Sequence, residues 1–140
     1  VKIIWFTVFP AAFGNAKALK DDEYLLLNKS LINSKNVLLM THIPLRTKAS
    51  YELGKWSNGT NLTIPASDQL YEILKNHKSS LLAIFQGHIH EEYKTSIFGI
   101  PVFCFPFIIN NSNCEILQSQ DKLEIVSSNN SKLNHSFNLS

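Results

Sequence analysis

Arginine is almost missing from this chain. Arg46 is the only one in 140 residues, and the other twelve basic side chains are lysine. Planar guanidinium forks that grip a phosphate at two points are therefore scarce. Neither sign of charge dominates, with 13 basic residues against 11 acidic ones and a net charge of +2. That balance carries no nucleic-acid signature. Glycine and proline number five each, and no glycine-rich phosphate loop, internal repeat or heptad pattern occurs. No apolar run approaches the ~18 to 20 residues a bilayer-spanning helix needs, so no transmembrane segment is expected. Cysteine is limited to Cys104 and Cys114. If residues 104–109 and 114–118 form a hairpin, the two are out of register, and reduced core thiols are expected.

Signals for compartment are equally thin. Asn-x-Ser/Thr sequons begin at Asn28, Asn58, Asn61, Asn110, Asn129, Asn134 and Asn138. A chain rich in asparagine and serine produces such matches by chance. Residues 2–9 have a signal-like tint, but Trp5 and Pro10 suit a core strand and turn better, and no small-residue cleavage site is clear. A cytoplasmic location is favoured over secretion, which would require a lost N-terminal signal. The chain opens on Val1 inside an apparent strand, which suggests a segment removed upstream.

What is present is a globular composition, 44% hydrophobic and 17% charged, long enough for one domain with a real core. Residues 2–9 read as a strand rich in β-branched and aromatic side chains. Asp21 is expected to cap a helix reaching about Asn33, with Asp22 and Glu23 on its positive end and Tyr24, Leu27 and Leu31 on its apolar stripe. Val37 to Met40 is a buried strand. A long connection over residues 43–66 follows, holding Tyr51 and Trp56, for which packing is the simpler reading. Ser67 is placed to cap a short helix from Asp68 to about His77. Leu81 to Phe85 is a second buried strand, because five apolar residues between turn signals suit a strand covered on both faces.

Strand material then runs to Val126. It includes a turn at Gly99-Ile100-Pro101 and a hairpin about Gln120-Asp121-Lys122, and Pro106 marks an edge or a bulge. Residues 127–140 read as a frayed polar tail. The fold class expected is α+β, with strands feeding two packed sheets. The domain would span residues 1–128 and the tail residues 129–140.

Both buried strands stop at histidine. Thr41-His42-Ile43-Pro44 ends one, and Gln86-Gly87-His88-Ile89-His90 ends the other. Gly87 would permit a tight turn or a close backbone approach. In an extended segment His88 and His90 would point to one side and Ile89 to the other. A lone histidine at a strand end is usually a satisfied polar group. Three at the ends of two strands suit a metal, since neutral imidazole is a common ligand of zinc, iron and manganese. His42, His88 and His90 are therefore the candidate ligands. His77 suits a helix C-terminus, and His135, in the tail, is set aside.

At these residues the chain resembles the calcineurin-like metallophosphoesterases. Gly87-His88-Ile89-His90 matches their last metal motif, Gly-His-x-His, and Thr41-His42-Ile43-Pro44 matches the histidine block before it. The resemblance covers residues 1–128 but only the C-terminal half of an αββα sandwich. It implies hydrolysis of phosphoesters, as a phosphomonoesterase or phosphodiesterase, by two divalent or mixed-valence metal ions (Mn, Fe or Zn). By resemblance His42 and His88 would ligate one ion and His90 the other, and the specificity loop would follow His42, with Arg46, Lys48, Tyr51 and Trp56.

The first half's Asp-x-His, Gly-Asp-x-x-Asp and Gly-Asn-His do not occur in the chain. Gly14-Asn15 is followed by Ala16 where the last motif has histidine. A missing N-terminal half is thus an implied partner. Without its carboxylates this chain is expected to hold one ion or none and to be inactive alone, and no catalytic residue is identified in it. Three readings stand open: the distal part of a phosphoesterase, a non-enzymatic remnant or binding module with a partial metal site, and an unrelated small zinc protein. If half a sandwich is missing, an apolar face should be exposed along residues 2–9 or beside residues 81–85.

Overall fold

Helices alternate with strands in the first part of the chain, and strands alone fill the rest. The computed structural model describes residues 1–6, 17–52, 63–88, 92–105, 114–128 and 130–139, the side chains of residues 51 and 52 excepted. The elements are β1 (Lys2–Phe6), α1 (Asp21–Leu31), β2 (Val37–Thr41), α2 (Lys48–Glu52), α3 (Gln69–Asn76), β3 (Leu81–Gln86), β4 (Tyr93–Ile97), β5 (Ile100–Cys104), β6 (Cys114–Gln118), β7 (Lys122–Ser127), a short 3-10 turn (Ser131–Leu133) and β8 (His135–Asn138).

Five strands form a mixed sheet in the order β1-β2-β3-β5-β4, with β4 antiparallel to β5 and the other pairs parallel. β6, β7 and β8 form a second, antiparallel sheet. The chain is thus α+β, with strands feeding two sheets as composition and order predicted. The parallel strands explain the continuous apolar runs. In β2, Val37, Leu38 and Leu39 are all buried, because helices cover one face and the small sheet covers the other. Tyr24, Leu27 and Leu31 of α1 and Leu70, Ile73 and Leu74 of α3 join Val37, Leu39 and Ile84 in the helix-side core. Leu38, Ala83, Phe85 and Phe103 meet Leu123 and Ile125 on the opposite side.

One buried carboxylate ties the helical layer together. Asp68 is 4% exposed and accepts three hydrogen bonds, from the Tyr24 hydroxyl at 2.6 Å, the Ala18 amide at 2.7 Å and the Leu70 amide at 2.9 Å. The last makes Asp68, rather than Ser67, the N-cap of α3. Burial and the neighbouring carboxylate both push the Tyr24 hydroxyl far above its usual pKa, so it stays a donor. At α1 the cap position is Lys20, whose amide is bonded by Glu23 at 2.8 Å. Asp21 lies inside the first turn and meets Lys17 at 2.6 Å.

Two further local readings are corrected. The β4–β5 turn is Phe98-Gly99, with φ of 52° and 81°, a pair of left-handed residues suited to a two-residue hairpin. Ile100 and Pro101 belong to β5. Pro101 is tolerated there because it pairs only with Ser96, before the pairing with β3 begins at Val102. Cys104 ends a strand of the large sheet and Cys114 opens the small one, and residues 106–113 of the hairpin considered there lie outside the described residues. Neither cysteine is in a disulfide, and burial with nearby Glu115 and Glu92 pushes Cys114 up to about 11.

The frayed tail is the second. β8 pairs along β7, and Leu133 is 1% exposed. Leu133 and Phe137 supply the apolar anchors that the polar composition concealed. Pro106 and residues 7–9 of the first strand lie outside the described residues. The β6–β7 hairpin forms as expected, with its turn at Ser119-Gln120-Asp121, one residue earlier than Gln120-Asp121-Lys122, because Lys122 already belongs to β7. Exposure of an apolar face is found on β1, where Ile3 is 60% and Trp5 75% exposed, but not on β3.

Two predictions follow from these contacts. Tyr24→Phe should cost about 1 kcal/mol, and Asp68→Ala, which orphans three donors, about 2 to 4 kcal/mol, in urea unfolding. The second concerns His135, which links the sheets by accepting a hydrogen bond from Lys94 at 2.7 Å. Burial and the Lys94 charge hold its pKa below the ordinary 6.5. The unfolded chain takes up that proton first. The stability contributed here is therefore complete above 6.5 and is lost as the pH falls toward the lower folded value. His135→Gln should flatten that part of a stability-against-pH curve measured by thermal melts.

Candidate functional site

Parallel neighbours deliver their C-terminal ends to the same edge of a sheet. Thr41 of β2 is level with Gln86 of β3, so His42 and Gly87 leave the sheet side by side. The Gly87 amide bonds the His42 carbonyl at 3.2 Å and extends the pairing by one step. His88 follows, and its Nδ1 lies 3.0 Å from Nε2 of His42. The rings meet edge to face, with centroids 4.9 Å apart and an interplanar angle of 79°. One ring nitrogen donates and the other accepts. Two of the three predicted ligands are thus brought together. His90 lies outside the described residues, as do Gly14, Asn15, Ala16 and Trp56.

The backbone achieves this differently from the expectation. The segment does not remain extended at His88, whose φ is 72°. The left-handed residue is therefore the histidine and not the glycine before it. A methyl group at Gly87 would meet the His42 carbonyl at 3.8 Å, an ordinary contact. A non-glycine residue in this region costs on the order of 1 kcal/mol and persists where the surroundings enforce it, often at functional sites.

The surroundings that enforce it are polar and buried. Gln86 is 3% exposed. Its Oε1 accepts the Leu45 amide at 3.1 Å, and its Nε2 donates to the Tyr93 hydroxyl at 2.7 Å. Burial, followed by Cys104, raises the Tyr93 hydroxyl far above its usual value and keeps it protonated. The Cys104 thiol donates weakly to the Gly87 carbonyl at 3.7 Å. Gln86 therefore fastens the loop leaving His42 to the end of β3.

That loop is held from its far side too. The Arg46 amide donates to the Tyr71 hydroxyl at 2.7 Å, and that hydroxyl donates to the Ile64 carbonyl at 2.8 Å. Burial pushes Tyr71 up to about 12. Arg46 Nε reaches Thr63 at 3.2 Å, and Lys48 starts α2 on the surface. Gln86 and Tyr93 were not singled out as functional from the sequence. The available cue was a polar residue closing the apolar run of residues 81–85.

The two ring nitrogens stand 3.0 Å apart in a hydrogen bond, closer than the about 3.3 Å between two ligands of a tetrahedral zinc with bonds of ~2.0 to 2.1 Å. Among the described residues, no group of three or more His, Cys, Asp or Glu is arranged to hold an ion. Asp68 is committed to its three donors, Asp21 to Lys17, and Asp121 to the β6–β7 turn. A hollow of about 180 Å³ opens beside His42, walled by Trp5, Met40 and Phe85.

No protein-family model matches the chain. No curated protein matches it either.

Gly87→Ala should change stability by no more than about 0.5 kcal/mol, because the added methyl has room and no positive φ is involved. Gln86→Leu should cost about 1 to 3 kcal/mol by orphaning the Leu45 amide and the Tyr93 hydroxyl. It should also speed hydrogen exchange at Leu45. Equal losses for both variants in urea unfolding would contradict this account of the turn.

Proposed function

We propose that this chain supplies the distal histidines of a metal-dependent phosphoester hydrolase whose remaining ligands come from further polypeptide. The observation that carries the reading is the pairing of His42 with His88 at the ends of adjacent parallel strands. The Thr41-His42-Ile43-Pro44 and Gly87-His88-Ile89-His90 motifs support it through their resemblance to the calcineurin-like metallophosphoesterases. In this reading His42 and His88 hold one ion, and His90 contributes to a second.

A bound pair of manganese, iron or zinc ions would supply charge to draw in a phosphoryl group and to acidify water. The residues of this chain do the positioning. Gln86 and the His42–Gly87 backbone bond keep the two imidazoles on a common edge. The left-handed turn at His88 swings its ring toward His42 instead of along the strand. The segment beginning at Arg46 borders this edge and is the natural place for substrate contacts.

Imidazoles carry no negative charge, so they do not offset two dications. That is why hydrolysis by the 140-residue chain alone is not expected. The lack of a third ligand among the described residues favours a second reading, a binding module with a partial metal site.

Turnover of p-nitrophenyl phosphate and of its bis ester with added manganese separates the two readings. The chain alone should show no metal-dependent turnover. Extended upstream by an encoded Asp-x-His and Gly-Asp-x-x-Asp region, it should be active, and His88→Ala should abolish that activity. An inactive extended protein, with zinc binding to the chain that is lost in His42→Ala, would favour the binding module. Metal-dependent turnover by the 140-residue chain, abolished by His42→Ala, would show that no further polypeptide is needed.

A further inference from the structure

α1 and α3 run against the parallel strands they connect, so both end at the sheet edge opposite the histidines. Three connections enter strands along that far edge. Residues 32–36 lead into β2, residues 77–80 into β3 and Phe98-Gly99 into β5. Backbone bonds set the first two side by side. The Lys2 amide of β1 reaches the Asn36 carbonyl at 3.1 Å, and the Val37 amide reaches the Ser80 carbonyl at 2.9 Å. Asn28 and His77 meet at 2.7 Å and tie the two helix ends together. These connections lie wholly within the described residues. The residues that flank segments 7–16, 53–62, 89–91 and 106–113 lie at the histidine edge instead. Phe6 is level with Thr41, Thr63 meets Arg46, His88 meets His42, and the Phe105 amide bonds the Gln86 carbonyl.

Charge is sorted between the two edges. Asp21, Asp22 and Glu23 open α1 and Glu72 opens α3. Lys2, Lys29, Lys35, Lys75 and Lys78 gather at the far edge, and all five are exposed. No acidic residue occurs in residues 24–51 or 73–90. The helix dipoles account for Lys29 and Lys75, which lie in the last turns of α1 and α3. Lys35 and Lys78 lie beyond the caps and form no ion pair with a described residue.

Two apolar side chains share this edge. Ile32, the C-cap of α1, is 49% exposed. Phe98, at the tip of the β4–β5 hairpin, is 39% exposed with a φ of 52°. A bulky residue in the left-handed region is strained, and an aromatic ring in water gains no burial to offset that cost.

We propose that this edge docks on an anionic lipid bilayer, with the lysines at the headgroups and Ile32 and Phe98 in the interfacial layer. Lysine suits such a partner, because a point charge on a flexible stem needs no fixed geometry from a fluid array of phosphates. Each lysine near the surface strengthens binding about fivefold. A nucleic acid also attracts lysine, but it offers Ile32 no apolar layer. Docked in this way, the chain holds His42 and His88 on the side away from the bilayer.

The test is sedimentation of the 140-residue chain with vesicles of phosphatidylcholine alone and of equal parts phosphatidylcholine and phosphatidylserine. Binding should need phosphatidylserine and should fall as salt is added. Lys35→Gln with Lys78→Gln should weaken it about thirtyfold. Lys17→Gln with Lys20→Gln removes the same charge at the other end of α1 and should leave it unchanged. Phe98→Asn should weaken binding on the order of fivefold. Asparagine accepts the left-handed conformation, so the melting temperature of that variant should hold or rise. No binding, equal binding to both vesicles, or equal losses for the two lysine pairs would overturn the proposal. Binding to single-stranded DNA that Phe98→Asn leaves intact, with none to vesicles, would make a nucleic acid the partner. Loss of vesicle binding on upstream extension would make further polypeptide the occupant of this edge. No metal or phosphoester substrate enters the measurement, so its failure leaves the histidine reading standing, and an inactive hydrolase leaves the docking edge standing.

Discussion

The parallel pairing of β2 with β3 is the constraint on which the rest depends. Parallel neighbours leave a sheet in the same direction, so whatever follows each strand is delivered to one edge. Thr41 beside Gln86 places His42 beside Gly87, and the backbone bond between those two continues the ladder past the last strand residues. The imidazole pair is a result of that register, and slipping it by one residue would turn the side chains to opposite faces. The α1 and α3 crossovers that permit parallel pairing are in turn locked together by Asp68, which joins Tyr24, Ala18 and the α3 cap in a single buried cluster.

The polar groups beneath the site do different work from those on it. Gln86, Tyr93 and Cys104 sit between the two strand ends, and their hydrogen bonds run inward to Leu45 and Gly87. A buried amide satisfied at both ends fixes its partners closely, because any movement leaves a donor or acceptor unpaired in a low-dielectric interior. His88 can then be held in a left-handed conformation that it would seldom adopt in a free loop. The strain sits on the half-buried histidine and the rigidity on the buried support.

Elements whose signal is local periodicity or an unbroken apolar run were legible from the sequence: α1, α3, β2, β3 and the β6–β7 hairpin. What was not legible depends on distant contacts. The polar run of residues 127–140 gave no sign of β8, because Leu133 and Phe137 are too far apart to make a pattern, yet each finds a place against the core. The turn at Phe98-Gly99 was displaced by giving weight to Pro101, which an interior strand accepts only because the large sheet starts late on one side. His42 and His88 could be chosen by residue type and strand end. Their mutual geometry could not, since it rests on φ at His88 and on a register shift between Val37 and Leu38 that composition does not encode.

The two sheets also imply an order of assembly. β6, β7 and β8 follow one another along the chain and pair as consecutive antiparallel neighbours, so each contact closes a short loop. β1 meets β2, and β2 meets β3, only after a whole helical crossover has been spanned. The entropy of closing a loop rises with its length, and chains dominated by distant pairings fold slowly. On this ground the meander is expected to form early and to offer Leu123 and Ile125 as an apolar platform. The parallel strands, including the edge that carries His42 and His88, are expected to join it later.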